Sequence, residues 1–270
     1  MKKIELLWSG DWIDPESIPL IRNRSFLYGD GFFESIRWSS SRSCHLWDFH
    51  WARIQKTINA LQFPWPDQWE NQSFQQFILA LIPQSIKSDM RVKIVFFRSG
   101  EGRYAPSGAR LCLHFEIEPV YLPWIQKIDK IGKAETVTVS KSQFSFVKST
   151  SALTYVMAGI EKTNRALADL VICHPDGYVV EGSFSSIFWF DGKKINIPDE
   201  SLGGLDSCMR RFLIQFWNEK GIGFSESKST WENVKEAQWI GFGSGLGIRF
   251  WLNHGVEMPI QILPQIFLKG

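Results

Sequence analysis

The sequence predicts an α+β protein in two parts, residues 1–120 and 121–270. Three observations carry that expectation. Apolar spacing switches between strand and helix periods without the regular alternation of a parallel β-α-β sheet. A proline-bracketed segment, Pro119-Val120-Tyr121-Leu122-Pro123, interrupts the pattern and reads as a linker. The length of 270 residues suits one large domain or two small ones at ~100–200 residues each.

The elements follow in chain order. Phe32–Trp38 is rich in aromatic and β-branched residues and predicts a strand. Phe49–Leu61 carries Ile54, Ile58 and Leu61 at helical spacing, and Phe74–Ile82 predicts a second helix. Val92–Phe97 is a near-continuous apolar run, a buried strand. Arg110–Ile117 alternates and predicts its neighbour. Between them lies a polar, glycine-bearing loop from Arg98 to Pro106. Beyond the linker, Thr136–Ser140 predicts a strand and Ala152–Ala168 a helix. Leu170–Cys173, Tyr178–Val180 and Ser186–Phe190 predict short strands, turned at Asp176-Gly177 and Asp191-Gly192. Cys208–Lys220 predicts a helix entered through Gly203-Gly204. Trp239–Gly243 predicts a strand running into a glycine-rich turn. There is no internal repeat and no low-complexity tract.

Composition narrows the function. Apolar residues make up 44% and charged residues 21%, which suits a globular protein and excludes disorder as the main state. A net charge of +2 provides no field for nucleic acid or an anionic membrane. The 13 Trp and 21 Phe are scattered, so they predict core and pocket lining rather than a stacking platform. Cys44, Cys112, Cys173 and Cys208 form no C-x-x-C pair, so no metal cluster is predicted. The run from Met1 to Trp8 has too short an apolar stretch for a signal peptide, and nothing reaches the ~20 apolar residues of a membrane span. A cytoplasmic protein with free thiols is the expectation.

Four features could carry chemistry. Gly241-Phe242-Gly243-Ser244-Gly245-Leu246-Gly247 is not a dinucleotide fingerprint, because Ile248 and Leu246 stand where a third glycine is needed. Such a turn lets backbone N–H groups approach an anion, with the Ser244 hydroxyl beside them, or is an ordinary loop. Leu202-Gly203-Gly204-Leu205-Asp206-Ser207-Cys208-Met209-Arg210 reads as a helix N-terminus, able to hold a phosphate or merely capped. Lys148 follows Phe144, Phe146 and Val147. A lysine leaving a strand toward a pocket loses solvation and becomes a nucleophile, though most lysines are simply solvated. Glu181 ends the apolar Tyr178-Val179-Val180 run. An inward carboxylate there needs a cationic or N–H partner, whereas an outward one is a surface charge.

Together these segments resemble the class IV aminotransferases, the fold type IV pyridoxal 5′-phosphate enzymes. Asn23-Arg24-Ser25-Phe26-Leu27-Tyr28-Gly29-Asp30-Gly31-Phe32-Phe33-Glu34-Ser35-Ile36-Arg37 resembles the family opening D-R-G-f-x-y-G-D-G-x-F-E-t-i-R. His50-Trp51-Ala52-Arg53-Ile54 resembles H-l-x-R-L. The segment from Lys148 to Ala158 resembles K-s-l-n-x-L-x-y-v-l-A. Asp176 to Phe188 resembles d-G-x-v-t-E-g-s-s-s-N-i-F. The helix entrance near Cys208 resembles l-x-G-i-t-R, and Ser244 to Arg249 resembles s-l-r-g-i-r. Each motif is weak alone. Six in the family's order, over residues 23–250, are specific.

The resemblance implies a small α/β domain, a larger pseudo-barrel domain, pyridoxal 5′-phosphate as cofactor and a homodimer. It implies that Lys148 is the catalytic Schiff-base lysine and proton shuttle, and that Glu181 pairs with the pyridine nitrogen. Arg53, the N–H groups of Cys208 and Met209, and the Ser244 hydroxyl would bind the phosphate. Arg103 would grip a substrate carboxylate, with Arg98 next in line, and Gly245 would face the substrate.

Departures qualify the match. Asn23 stands for Asp, Ser186 for Asn, Ser207 for Gly, and Cys208-Met209 for Ile-Thr. Ala152 and Leu153 replace the tyrosine that branched-chain enzymes carry near the lysine. The resemblance therefore favours 4-amino-4-deoxychorismate lyase, giving 4-aminobenzoate and pyruvate, over a branched-chain or D-amino acid transaminase. A non-catalytic binding protein is the remote alternative, since Lys148 and Glu181 are both present. The partner is a small amino or keto acid, with no nucleic acid, membrane or metal.

Overall fold

The computed structural model describes residues 4–14 and 24–268. Asn23 and the Met1–Lys3 start of the chain lie outside these residues. The class is α+β, as the sequence predicts. Two compact units are formed, Met1–Tyr121 with Val147–Ser151, and Leu122–Phe146 with Ala152–Gly270.

The first unit is built on a wholly antiparallel sheet. Its strands are β1 (Ile4–Trp8), β2 (Trp12–Ile13), β3 (Gly31–Trp38), β4 (Asp89–Glu101) and β5 (Ser107–Val120), in the order β2-β1-β5-β4-β3. A five-residue helix, α1 (Arg24–Tyr28), precedes β3. Two longer helices, α2 (Trp47–Leu61) and α3 (Asn71–Leu81), join β3 to β4. Buried and partly exposed residues alternate along β4, so Val92, Ile94 and Phe96 face the core with Phe115 and Ile117 of β5. Ile54 and Ile58 of α2 and Phe74 and Ile78 of α3 are buried. Trp47, Trp69 and Phe74 are buried in an aromatic cluster, with Trp69 and Phe74 centroids 5.0 Å apart. Trp38, Trp47 and Trp69 are core, as composition suggests, whereas Trp12 is exposed.

The second unit holds two sheets. The larger contains β6 (Ile125–Ile128), β10 (Ser186–Phe190), β11 (Ile195–Pro198), β12 (Phe224–Ser227), β13 (Trp239–Ser244) and β14 (Gly247–Leu252), in the order β12-β11-β10-β13-β14-β6. The smaller is β7-β8-β9, made of β7 (Ile131–Thr138), β8 (Asp169–Cys173) and β9 (Val179–Gly182). Helices α4 (Leu153–Asn164), α5 (Cys208–Lys220) and the short α6 (Trp231–Val234) complete it. Among the described residues, no helix is long and apolar enough to cross a membrane.

Some boundaries differ from the sequence expectation. The supposed linker is partly strand, because Met90 pairs with Pro119 and Asp89 with Val120 at the end of the β4–β5 ladder. Strand β4 likewise extends through Glu101, so the loop predicted from Arg98 shrinks to residues 102–106. Polar residues are tolerated there because the hairpin supplies their backbone bonds. Helix α4 stops at Asn164, four residues before Ala168. Ala166 takes a left-handed φ of 50° and Ala168 then donates to the Lys130 carbonyl, so the chain turns directly into β8. The glycine-rich run is mostly strand rather than loop. Ser244 pairs with Gly247, leaving a two-residue turn, and an added Cβ at Gly241 would lie 2.3 Å from the Phe188 ring. These glycines allow close packing.

Gly203, before α5, has φ 90°, and a Cβ there would lie 2.3 Å from the Lys141 Cα. Both terms oppose a side chain. Gly203→Ala should lower the unfolding free energy by at least ~2 kcal/mol in urea denaturation. An unchanged midpoint and slope would show that the 140–141 backbone yields freely.

Candidate active site

Lys148 belongs to the first unit, and backbone pairing puts it there. Strand β3 ends the sheet, and its open edge accepts residues 147–151. Phe33 donates its N–H to the Lys148 carbonyl at 2.9 Å, and Thr150 donates to the Gly31 carbonyl at 3.0 Å, around an antiparallel bridge between Phe32 and Ser149. The Gly-Asp-Gly turn makes the approach possible. A Cβ at Gly29 (φ 64°) would fall 1.8 Å from the Ser151 Oγ, and one at Gly31 would fall 3.1 Å from the Thr150 Oγ1. The Lys148 side chain is half-buried, with Nζ 4.5 Å from the Phe33 ring centroid.

Arg53 lies on α2 with His50 one turn earlier on the same face, and both meet Glu34 of β3. Arg53 donates through Nε and one Nη to the two Glu34 oxygens, each at 2.7 Å, and His50 Nδ1 lies 2.7 Å from Oε2. All three are buried. Burial alone would raise the Glu34 carboxyl. The Arg53 charge, then the His50 charge and the hydrogen bonds of both, outweigh it and hold Glu34 at about 2. The pair fixes the plane of the Arg53 fork and uses two of its five donors.

The hairpin tip carries Arg103, whose side chain is exposed. Its backbone is anchored, because Arg24 donates to the carbonyls of Gly102, Arg103 and Tyr104 at 2.8–3.0 Å while its Nε holds Asp30 at 2.8 Å. Arg98 is committed elsewhere. It bonds Asp30 at 3.0 Å and the Leu61 carbonyl, and it stacks 4.1 Å over Phe63.

The second unit holds the other predicted residues. Glu181 sits on β9, 5% exposed. Tyr155 of α4 donates its hydroxyl to Oε1 at 2.6 Å, and the Leu205 N–H donates to Oε2 at 3.0 Å. Cys208 and Met209 are buried in the first turn of α5, which Ser207 caps by accepting from the Arg210 N–H. A Cβ at Gly243 would come within 2.8 Å of Met209 Cγ, so the end of β13 lies against this helix start. Ser244 follows, its hydroxyl accepting from the Leu246 N–H at 3.2 Å, and Gly245 is half-buried in the turn.

Two departures from the family pattern meet here. Ser207 Oγ donates to Ser186 Oγ at 3.1 Å, and Ser186 Oγ donates to the Gly243 carbonyl at 3.0 Å. The hydroxyls join α5, β10 and β13, so each serine is satisfied by the other departure. Sequence reasoning missed Tyr155, Glu34, His50 and the Leu205 N–H. His50 and Arg53, at i and i+3, were detectable as one helix face. No sequence signal joins Tyr155 to Glu181, 26 residues on.

With this geometry in hand, the comparisons identify the class. The chain matches amino-transferase class IV over residues 31–249, and it belongs to that family of pyridoxal-phosphate-dependent enzymes. It is 26% identical over 233 residues to aminodeoxychorismate lyase from Vibrio harveyi, covering 84% of each chain. It is 28% identical over 223 residues to aminodeoxychorismate lyase from Bacillus subtilis strain 168, covering 78% of this chain and 71% of that one. Its fold resembles the branched-chain amino acid aminotransferase from Escherichia coli, with a TM-score of 0.82 at 17% identity over 98% of this chain and 93% of the other.

Glu34 generates a pH prediction. Its carboxyl titrates lower folded than unfolded, so its stabilisation is full above the ordinary carboxylate range and is lost as pH falls from about 4.5 toward about 2. Glu34→Gln should cost ~3–5 kcal/mol at pH 7, because Arg53 and His50 lose their anion. The gap from the parent should narrow at pH 3. A gap that is the same at both pH values in urea melts would mean Glu34 does not carry this charge.

Proposed function

We propose that this chain is a 4-amino-4-deoxychorismate lyase that uses pyridoxal 5′-phosphate. The observation that carries the cofactor chemistry is the buried Glu181 carboxylate, with a hydrogen-bond donor on each oxygen. A carboxylate so held is suited to keep a pyridine nitrogen protonated. The remaining donor set also suits the cofactor. It includes a half-buried primary amine at Lys148, the first turn of a 13-residue helix at Cys208 and Met209, the Ser244 hydroxyl and the oriented guanidinium of Arg53. Support for the lyase reaction comes from the two lyase relatives, which match over most of their length. Ala152 and Leu153, where branched-chain enzymes carry a tyrosine, support it too, and Leu153 is 71% exposed.

When bound, pyridoxal phosphate supplies an electron sink. Lys148 would hold the cofactor through its amine, and the same amine is placed to act as the base for the proton on the substrate carbon that bears the amino group. Glu181 would keep the ring nitrogen protonated. The N–H groups at the α5 start and Arg53 would balance the phosphate charge. Arg103 grips the substrate carboxylate. The electron pair left by that proton would complete the aromatic ring as the ring C–O bond to the enolpyruvyl group breaks, and the departing enolpyruvate would take up a proton to become pyruvate, leaving 4-aminobenzoate.

The purified protein should release 4-aminobenzoate and pyruvate from aminodeoxychorismate. It should convert a panel of amino acids with 2-oxoglutarate far more slowly, and the reverse ranking would make it a transaminase. Borohydride treatment should fix the cofactor to Lys148, as peptide mapping would show; a label on another lysine refutes the assignment. Glu181→Gln should retain cofactor but lose ~10²-fold in turnover, about 3 kcal/mol of barrier. Parental turnover would remove Glu181 from the ring.

A further inference from the structure

We propose that Tyr155 is a positioning residue for the reaction, orienting Glu181 and holding its carboxylate charged against the cofactor's ring nitrogen. This rests on the reading of Glu181 as the ring-nitrogen partner. The geometry is specific. Tyr155 lies on α4, seven residues after Lys148, and its hydroxyl reaches Oε1 of Glu181 at 2.6 Å, the length of a charge-assisted O–H···O⁻ bond. The Leu205 N–H takes the other oxygen at 3.0 Å. With a donor on each oxygen, the plane of the carboxylate is held against rotation about its terminal bond.

The charge follows from the same contacts. A carboxylate 5% exposed is neutral unless donors compensate for its lost water. The tyrosine supplies one such donor, and it stays a donor. Burial first, then the Glu181 charge and hydrogen bond, push its hydroxyl well above the ordinary tyrosine range. Without the hydroxyl, the proton shared between the ring nitrogen and Glu181 shifts toward Glu181, and the ring becomes a poorer sink. The packing of the Tyr155 ring against Ala134, Ala158, Leu170 and Ile172 defines a competing, merely structural role.

The two roles order the variants oppositely. Tyr155→Phe keeps the packing and removes the donor. Tyr155→Gln removes the ring and keeps an N–H donor. The readout is the ¹⁵N signal of cofactor labelled at the ring nitrogen, measured on the loaded protein, with kcat and KM alongside. Tyr155→Phe should move the signal from the pyridinium position toward neutral pyridine and cut kcat ~10-fold with KM within ~2-fold. Tyr155→Gln should restore part of both. In a Glu181→Gln background, Tyr155→Phe should add nothing.

A parental ¹⁵N signal in Tyr155→Phe, while Glu181→Gln moves it, overturns the role of Tyr155 and leaves Glu181 as the ring partner. So does a harmless Phe with a damaging Gln, which is the packing result. If Glu181→Gln leaves the signal in place, the reading of Glu181 fails and the inference falls with it. Should Tyr155→Gln not fold, the Tyr155→Phe signal alone decides.

Discussion

Charge taken out of water has to be matched, and this constraint organises both units. Among the described residues, Glu34, Glu161, Asp169 and Glu181 are the buried carboxylates. Glu34 is matched by Arg53 and His50. Glu161 accepts from the Glu135 and Thr136 N–H groups and from Arg165. Asp169 accepts from Ser183, through N–H and hydroxyl, and pairs with Arg249. Glu181 has Tyr155 and Leu205. Each match ties separate elements together, such as α2 to β3, α4 to β7 and α4 to β9. Truncating one partner leaves an unpaired buried charge, so these ties are stiff.

The second organising contact is the open edge of β3. An unpaired edge seeks a strand, and residues 147–151 supply it. Lys148 thereby acquires a fixed backbone while its side chain stays adjustable, which suits the cofactor-holding and proton-moving role proposed for it. The Gly29 and Gly31 positions are the steric condition for that pairing.

The individual side chains of the candidate site were largely legible. Lys148, Glu181, Arg53 and the Ser207-capped helix stand in ordered motifs, and β10 and α5 have the boundaries the periodicity implies. Short elements were not legible. Strands β6, β11 and β12 have four residues each, too few for a period to register, and their parallel pairings depend on distant partners. Arg98 looked like a second candidate for a carboxylate. Its exposure and partners, Asp30 and the Leu61 carbonyl, are set by a fold that brings residues 37 and 68 positions apart together.

By itself, the sequence determined the class of fold, the family and the residue types available for chemistry, because periodicity, turn glycines and motif order are local properties. Tertiary structure decided which partner each group has. It placed Lys148 on the edge of β3, committed Arg98 to the core, paired Ser207 with Ser186 and put Tyr155 on Glu181. The physical reason is that a hydrogen bond or an ion pair needs its atoms within about 3 Å. That proximity is created only when segments far apart in the chain are packed together.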